Sequence, residues 1–304
     1  MSLPKRVNPS PVTSAAKRKA EVFLSSASPK EMEALARRIR RHIVTMIGKA
    51  GSGHPGGSLS AVEIVSSLYF RVLKHKPQDP QWADRDRFIL SKGHAAPLLY
   101  TVLAECGYFP VAELATLRQL DSRLQGHTDR NLTPGVEMSA GALGQGLSFA
   151  VGVALAGRLN AQSYRVYVLL GDGECNEGQI WEAAMAAAHF GVDNLTAIVD
   201  RNRLQLDGWC CDVMNSEPFV QKWRAFGWQV IEVDGHDFTQ LGRAFSRAKK
   251  IKGKPTVIIA HTTKGKGVSF MEDDHQWHGK PPSMEEFEAA LVELEGEVTR
   301  WQSS

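Results

Sequence analysis

The chain has 304 residues, of which 36 are basic and 33 are acidic, so its formal net charge is only +3. This near balance supplies none of the basic field that nucleic-acid binding requires, and no stretch approaches the ~20 continuous apolar residues of a membrane helix. The cysteines, at positions 106, 175, 210 and 211, include no CxxC pair, which favours a reducing, cytoplasmic setting.

The first 28 residues differ in character from the rest of the chain. They contain several prolines, serines and basic residues with little periodicity, which indicates a basic and flexible arm. We therefore predict an arm over residues 1–28 and one large α/β domain over residues 29–304. Ser28 is expected to cap a helix that begins at Pro29 and carries Leu35 and Ile39 on its apolar face.

Three histidine-bearing segments follow this helix. The loop 51–57, GSGHPGG, is too rich in glycine for a helix or a strand, and it places His54 before a helix predicted over 59–73. A short strand over 88–90 ends just before His94. A glycine-rich segment with His127 then leads into a helix over 147–159. Such segments can expose amides toward anions, but a lone loop histidine is usually only solvated.

The stretch from 164 to 208 predicts a strand, a helix and a second strand. The apolar runs 166–170 and 195–199 are typical of strands buried on both faces of a parallel sheet, and the residues 179–190 between them have helical spacing. The first strand ends in a Gly-Asp-Gly turn that contains Asp172, and the second ends at Asp200 and Asn202. Because ligands of open α/β sheets bind beyond the carboxyl ends of strands, these side chains should point into one crevice.

The oxygen atoms at these two strand ends suit a hard cation. A carboxylate, an amide oxygen and a nearby main-chain carbonyl make half of an octahedral shell for Mg²⁺ or Ca²⁺, and phosphate oxygens and water complete it. A Gly-Asp-Gly turn alone is common after strands. The second element, Asn202 at the end of the next strand, makes the paired pattern far more specific.

The remaining elements complete the sheet. Helices are predicted over 217–226, 239–249 and 284–294, and strands over 229–233 and 256–261. Together the elements predict a three-layer, doubly wound α/β fold with a mostly parallel sheet of about five to six strands and helices on both faces. Lys264, Lys266 and His278 follow the last strand, where basic residues usually form a solvated turn.

Several motifs of the sequence resemble those of one enzyme family. The Gly-Asp-Gly turn followed by Asn202 resembles the signature of thiamine diphosphate enzymes. Five further segments resemble transketolase: GSGHPGGSLS at 51–60, SKGHAAPLLY at 91–100, GHTDRNLTPGVEMSAGALGQGLS at 126–148, KGKG and WHGKP. The resemblance spans roughly residues 31–282 and covers only the amino-terminal, diphosphate-binding domain of that family.

The resemblance implies a role for each matching residue. Catalytic roles on the substrate fall to His54, His127 and His278. The metal ligands are Asp172, Asn202 and the carbonyl of Leu204. Glu177 lies at an interface that communicates with the family's activating glutamate, although a carboxylate at a helix start is also stabilised by the helix dipole. The cofactor-binding residues are His94, Gly141, Ala142, Leu143, Gly173, Glu174, Asn202, Lys264 and His278.

The implied function is transfer of a two-carbon ketol unit from a ketose phosphate to an aldose acceptor, with thiamine diphosphate and Mg²⁺ or Ca²⁺, in cytoplasmic carbohydrate metabolism such as the pentose phosphate pathway. The family's activating glutamate belongs to a pyrimidine-binding domain, and this sequence stops at Ser304. We therefore expect the N-terminal subunit of a split transketolase, active only with a C-terminal subunit. The expected assemblies are a heterotetramer and self-association of this chain.

Two alternatives stay open from the sequence. One is a subunit of another thiamine diphosphate enzyme, similar to deoxyxylulose phosphate synthase or to the α chain of a 2-oxo acid dehydrogenase. The other is a non-catalytic, cofactor-binding assembly module. The set His54, His94, His127 and His278 favours transketolase over the dehydrogenase. The sequence does not identify the donor and acceptor sugars.

Overall fold

The structure is a computed structural model that describes residues 27–300, without the side chains of 296–300. The predicted arm therefore lies outside the described residues, apart from Ala27 and Ser28. Within the described range, no helix combines the length and the apolar character needed to cross a bilayer.

Five parallel strands form the central sheet, which confirms the predicted α/β fold. Their spatial order is β1-β2-β3-β5-β4. The strands are β1 (Arg87–Leu90), β2 (Val166–Gly171), β3 (Leu195–Arg201), β4 (Gln229–Asp234) and β5 (Thr256–His261).

The register aligns the carboxyl ends of the central strands. Gly171 of β2 lies opposite Asp200 of β3, and Asp200 lies opposite Ala260 of β5. The loops that leave β2, β3 and β5 therefore start at one edge of the sheet. This alignment places Asp172 and Asn202 beside each other, as the strand ends predicted.

Helices cover both faces of the sheet. They are α1 (Pro29–Ala50), α2 (Pro55–Leu59), α3 (Val62–Ser67), α4 (Ala96–Cys106), α5 (Gln145–Leu159), α6 (Gly178–His189), α7 (Cys210–Val213), α8 (Phe219–Ala225), α9 (Phe238–Lys250) and α10 (Met284–Arg300). Along β2, Tyr167 and Leu169 pack into one core with α1, α3, α4 and α9. Val166 and Val168 pack into the other core with α5, α6 and α8. The sheet is thus buried on both faces, which explains the continuous apolar runs of its strands.

The first helix begins where the sequence predicted. The Ser28 hydroxyl accepts a hydrogen bond from the Glu31 amide at 3.3 Å, and the Glu31 carboxylate accepts one from the Ser28 amide at 2.7 Å. This capping box satisfies two amides at the start of the helix, and Pro29 sits in its first turn. The helix ends at Ala50 and is capped by Gly51, whose φ of 57° is in the left-handed region.

The segment after α1 differs from the prediction. The expected loop 51–57 contains the start of the helix α2, and the expected helix 59–73 is divided into α2, α3 and a π-helical turn over Leu68–Val72. The break lies at Ser60 and Ala61, where the Ser60 hydroxyl donates to the Asp200 carboxylate at 2.5 Å. A contact with the end of β3, which is distant in sequence, therefore overrides the continuous helical pattern. Gly56 occupies α2 because a Cβ there would lie 2.8 Å from the carbonyl oxygen of Trp277.

Candidate active site

A cleft of about 260 Å³ opens at the carboxyl edge of the sheet. Its walls come from the turns after β1, β2 and β3 and from the loop after β5. The predicted site residues that line it are His94, Leu143, Asp172, Gly173, Glu174, Glu177, Asn202, Leu204, Lys264 and His278. The other predicted site residues, His54, His127, Gly141 and Ala142, lie outside its lining.

The predicted metal ligands lie together on one wall of the cleft. The Asp172 carboxylate accepts hydrogen bonds from the amides of Gly173 at 2.8 Å and Arg203 at 2.6 Å. The Asn202 amide oxygen accepts one from the Leu204 amide at 3.1 Å. Both side chains are buried, since Asp172 is only 4% exposed and Asn202 only 5%. Folded turns therefore hold both side chains in place.

The electrostatics of this wall suit a cation. Burial, followed by the charge of Asp200, raises the pKa of Asp172 to about 6. A divalent cation would offset the cost of holding two buried carboxylates close together. Among the described residues, no three His, Cys, Asp or Glu side chains are arranged to hold a metal by themselves. A metal at Asp172 would therefore also take amide, main-chain and ligand oxygens.

The cleft also has features that fit an anionic ligand. The side-chain nitrogen Nε2 of Gln205, on the cleft wall, is buried with no hydrogen-bond partner among the described residues. A Cβ on Gly173 would lie 3.0 Å from the Cβ of Gln205, and one on Gly57 would lie 3.0 Å from Nε2 of His94. Glycine at these two positions therefore avoids close contacts with residues of the cleft wall. The residues present therefore fit a diphosphate with a bound metal.

Asp200 forms the buried floor beneath the cleft. Its carboxylate accepts hydrogen bonds from the hydroxyls of Ser60 and Thr262, from the Lys92 ammonium and from the Asn202 amide nitrogen. Burial would raise the pKa of Asp200, but Lys92 and the hydroxyl donors hold it below its usual range. This carboxylate ties the turns after β1 and β3 to α2 and to the loop after β5.

Two buried lysines give the cleft its positive charge. The Lys92 ammonium also donates to the Gly57 carbonyl at 2.9 Å. The Lys264 ammonium lies 3.3 Å from the Leu204 carbonyl oxygen and 2.9 Å from Nδ1 of His278. Burial, followed by the charge of Lys92, lowers the pKa of Lys264 to about 8. Lys92 is paired with the Asp200 carboxylate, whereas the hydrogen-bond partners of Lys264 are neutral, so Lys264 is the lysine whose charge can attract an anion such as a diphosphate.

The predicted histidines form one cluster beside the cleft, with His54 at its centre. The ring centroid of His54 lies 5.5 Å from that of His94, 5.8 Å from that of His127 and 5.7 Å from that of His278. The rings of His94 and His278 are 4.9 Å apart. His94 and His278 line the diphosphate cleft, so the cluster extends from the cleft to the exposed His127.

Burial keeps these imidazoles neutral at ordinary pH. Burial and the charge of Arg118 lower the pKa of His54 to about 4. Burial and the charge of Lys264 lower the pKa of His278 to about 3, and burial lowers those of His94 and His127 as well. A neutral imidazole can accept a hydrogen bond from a hydroxyl group at one ring nitrogen and donate one from the other. The cluster is therefore suited to contact with a polyhydroxylated substrate.

Glu174 organises the glycine-rich loop before α5. Its carboxylate accepts hydrogen bonds from the amides of Gly144 and Gly171, both at 2.9 Å, and from the Ser91 hydroxyl. Burial raises the pKa of Glu174 above its usual range. These contacts place Leu143 on the cleft wall, whereas the preceding Gly141 and Ala142 are exposed.

Glu177 lies on the rim of the cleft. It is exposed at the N-cap position of α6, and its side chain makes no capping hydrogen bond. A Cβ on Gly144 would lie 2.8 Å from the Cβ of Glu177, so the glycine-rich loop packs closely against it. Its carboxylate is available to a group outside the described residues.

Two residues of the site went beyond what the sequence predicted. Lys92 was not predicted as a site residue, and Asp200, which we expected to point into the crevice, is fully buried and does not line the cleft. Lys92 directly follows Ser91 in the SKGH motif, and a lysine just after a strand is usually solvated. A signal was available in each case, because both residues come directly after or at the end of an apolar strand run. Lys266, by contrast, is a surface residue that pairs with Glu272 at 3.2 Å.

Comparison with known proteins identifies the family. Residues 31–295 match the family described as "Transketolase, thiamine diphosphate binding domain". The chain is 45% identical over 267 residues to a 6-deoxy-6-sulfo-D-fructose transketolase subunit of Clostridium sp., covering 88% of this chain and 97% of that relative. It is 46% identical over 268 residues to an apulose-4-phosphate transketolase subunit of Actinobacillus succinogenes, again covering 88% and 97%.

Solved transketolases have the same fold. The enzyme of Campylobacter jejuni superposes with a TM-score of 0.83 at 35% identity, over 88% of this chain and 43% of that one. The enzyme of Leishmania mexicana gives a TM-score of 0.82 at 35% identity, over 87% and 41%. The matches confirm the predicted α/β fold and the predicted resemblance to an N-terminal transketolase subunit. The chain therefore belongs to the transketolase family and contains its thiamine diphosphate-binding domain.

Proposed function

We propose that this chain is the N-terminal subunit of a two-chain transketolase that transfers a two-carbon ketol unit from a ketose phosphate to an aldose acceptor. The observation that carries the proposal is the convergence of Asp172, Asn202 and Lys264 on one cleft beside a cluster of neutral histidines. When bound, thiamine diphosphate supplies the carbanion chemistry that carries the ketol unit. The residues of this chain hold the cofactor and manage protons around it.

The cleft divides into a metal side and an anion side. In this proposal Asp172, Asn202 and the Leu204 carbonyl bind Mg²⁺ or Ca²⁺, and phosphate oxygens complete the shell. Lys264 and His94 bind the diphosphate, and Gly173 lines the same part of the cleft. Gly141, Ala142, Leu143, Glu174 and His278 complete the proposed cofactor contacts, Glu174 by shaping the loop that carries Leu143.

The histidines act on the substrate. The Nδ1 atom of His54 is buried and has no hydrogen-bond partner within residues 27–295, so it is available to a substrate hydroxyl. Lys264 donates to Nδ1 of His278, because an ammonium has no acceptor, and the proton of that imidazole therefore lies on Nε2. His54, His127 and His278 thus offer acceptors and a donor to neighbouring hydroxyl groups.

A second polypeptide completes the proposed enzyme. The chain covers 97% of two relatives that are named as subunits, but only 41–43% of solved transketolases. We infer that the partner carries the pyrimidine-binding domain and the activating glutamate. Exposed Glu177, with Met185 and Phe190 exposed on or beside α6, lies on the surface that the partner would cover. Two copies of each chain, or self-association of this one, are the proposed assemblies.

The substrate class follows from the relatives. Their names specify 6-deoxy-6-sulfo-D-fructose and apulose-4-phosphate, a sulfo sugar and a phosphorylated sugar. We propose an anionic ketose as donor in this chain too, within cytoplasmic carbohydrate metabolism related to the pentose phosphate pathway. The identity of the sugar depends on groups that the partner would supply.

Titration calorimetry with thiamine diphosphate in MgCl₂ tests the cofactor assignment. The wild-type chain should bind, and Asp172→Ala and Asn202→Ala should lose most of the metal-dependent affinity, because each removes an oxygen ligand. Asp207→Ala is the matched control, since Asp207 is an exposed aspartate in the same loop. Unchanged affinity in both ligand variants would contradict the metal assignment.

A further inference from the structure

A second buried polar network lies behind the cleft, between α1, α3 and the loops after β4 and β5. The Glu63 carboxylate, in the first turn of α3, accepts two hydrogen bonds from the Arg40 guanidinium of α1, at 2.7 and 2.9 Å. It also accepts one from Nδ1 of His236 at 2.9 Å. Arg40 is 6% exposed and Glu63 is 5% exposed, so this is not a solvated surface pair.

The hydrogen bonds fix the tautomer of His236. The main-chain amide of Thr263 lies 2.9 Å from Nε2 of His236. Because an amide N–H can only donate, Nε2 carries no proton, and the proton of the ring lies on Nδ1, facing Glu63. Burial would raise the pKa of Glu63, but Arg40 and His236 hold it at about 2, so Glu63 stays an acceptor.

The same network also reaches Lys266, further along the loop after β5. Nε of Arg40 donates to the carbonyl oxygen of Lys266 at 2.8 Å. Close approach at this point requires a glycine, because a Cβ on Gly267, whose φ is 95°, would lie 2.7 Å from Cδ of Arg40. The residues Thr263 and Lys266 are thus both held, and Lys264 lies between them.

We propose that Glu63, His236 and Arg40 form a positioning network that directs the Lys264 side chain into the cofactor cleft. None of the three lines the cleft, so they act through the loop that they hold. A buried ion pair contributes little net stability compared with apolar packing of the same volume. The geometry that it imposes on Thr263 and Lys266 is the better explanation of this arrangement. This inference rests on the proposed function, in which Lys264 binds the diphosphate.

The test compares His236→Ala with His236→Gln in the full chain. The glutamine oxygen can take the place of Nε2 as the acceptor for the Thr263 amide, whereas alanine cannot. His261→Ala is the control, because His261 is a partly exposed histidine directly before the same loop. The readouts are hydrogen exchange at residues 263–267 and the Kd for thiamine diphosphate in MgCl₂.

In His236→Ala we expect faster exchange over residues 263–267 and a Kd raised by about tenfold or more, the usual cost of losing a group that orients a ligand. His236→Gln should restore much of the slow exchange and much of the affinity, and His261→Ala should change neither the exchange nor the Kd. In a Lys264→Ala background, His236→Ala should cause no further loss of affinity, because the two substitutions then act on the same contact.

Three results would overturn the inference: unchanged exchange in His236→Ala, faster exchange with unchanged affinity, or losses that simply add in the double variant. The exchange comparison needs no cofactor, so it decides whether His236 holds the loop even in a chain that binds none. Failure of the wild-type chain to bind thiamine diphosphate would instead contradict the proposed function. The two failures are therefore distinguishable.

Discussion

The ammonium of Lys264 donates to Nδ1 of His278 across 2.9 Å, and this contact joins the basic wall of the cleft to the histidine cluster. Lys264 follows β5, whereas His278 lies in the turn over His275–His278. The contact therefore places the proposed diphosphate site and the proposed substrate site next to each other. A cofactor held at the first site would then lie beside a substrate held at the second.

The histidine cluster should matter for turnover more than for cofactor binding. In the reconstituted two-chain enzyme, we expect His54→Ala and His127→Ala to lower kcat by about 100-fold, the usual scale for losing a group that transfers protons. Cofactor affinity should change much less, because neither residue lines the cleft. His275→Ala serves as the control. Rate constants within about twofold of wild type, under about 0.5 kcal/mol in barrier, would return both histidines to a solvated-loop role.

Cofactor should stabilise the folded chain only when a divalent metal is present. At a thiamine diphosphate concentration of 100 times its Kd, with MgCl₂, the free energy of unfolding should rise by about 2.7 kcal/mol. EDTA should remove that gain, because Asp172 and Asn202 would then lack the ion that bridges them to the phosphates. Urea denaturation with and without EDTA measures the difference. An equal gain in both conditions would argue against a metal.

The contribution of His54 to stability should fall as the pH is lowered from 6.5 toward about 4. The pKa of His54 is about 4 in the folded chain and 6.5 in the reference state, so the unfolded chain binds the extra proton between these values. The pKa of His54 is lowered by burial and by the charges of Arg118, His127 and Lys264. Substituting His54→Gln should make the free energy of unfolding less dependent on pH between 5 and 7. Identical pH dependence in wild type and variant would refute the burial of a neutral His54.

The close packing at Gly56 predicts a large effect from one added methyl group. A Cβ at this position would lie 2.8 Å from the Trp277 carbonyl oxygen and 3.1 Å from the Lys264 side chain. We expect Gly56→Ala to lower the free energy of unfolding by about 1–3 kcal/mol. In α9, Gly242 has open space around it, so Gly242→Ala should raise stability by about 0.5–1 kcal/mol. Urea denaturation of both variants checks the pair, and equal effects would contradict the packing argument.

The sheet could be predicted from the sequence because its strands are buried on both faces. The runs 166–170 and 256–261 contain continuous apolar residues, and the structure places β2 and β5 there with ends shifted by no more than one residue. Parallel strands of this kind can be predicted from their own sequence, without knowing which strands lie next to them. From the ends of the predicted strands, the sequence alone then placed Asp172 and Asn202 in one crevice.

The parts that could not be predicted depend on contacts between distant residues. The helix after His54 is interrupted because Ser60 bonds to Asp200, which lies 140 positions away. Lys92 bonds to the same carboxylate across 108 positions. The end of an apolar strand run marks the position of Lys92, but no local pattern shows that this lysine is buried rather than solvated. The set of four histidines was inferred from the resemblance to transketolase, and the ring distances show that they form one cluster.

The central claim is that this chain supplies the cofactor half of a two-chain transketolase. The most direct measurement is release of aldose phosphate from xylulose 5-phosphate, with Mg²⁺ and thiamine diphosphate, by the purified chain alone and after mixing with a candidate C-terminal partner. We predict no release by the chain alone and sustained turnover by the mixture, lost again with Asp172→Ala. Robust ketol transfer by the isolated, sequence-verified chain would contradict the claim, because these 304 residues would then have to activate the cofactor themselves.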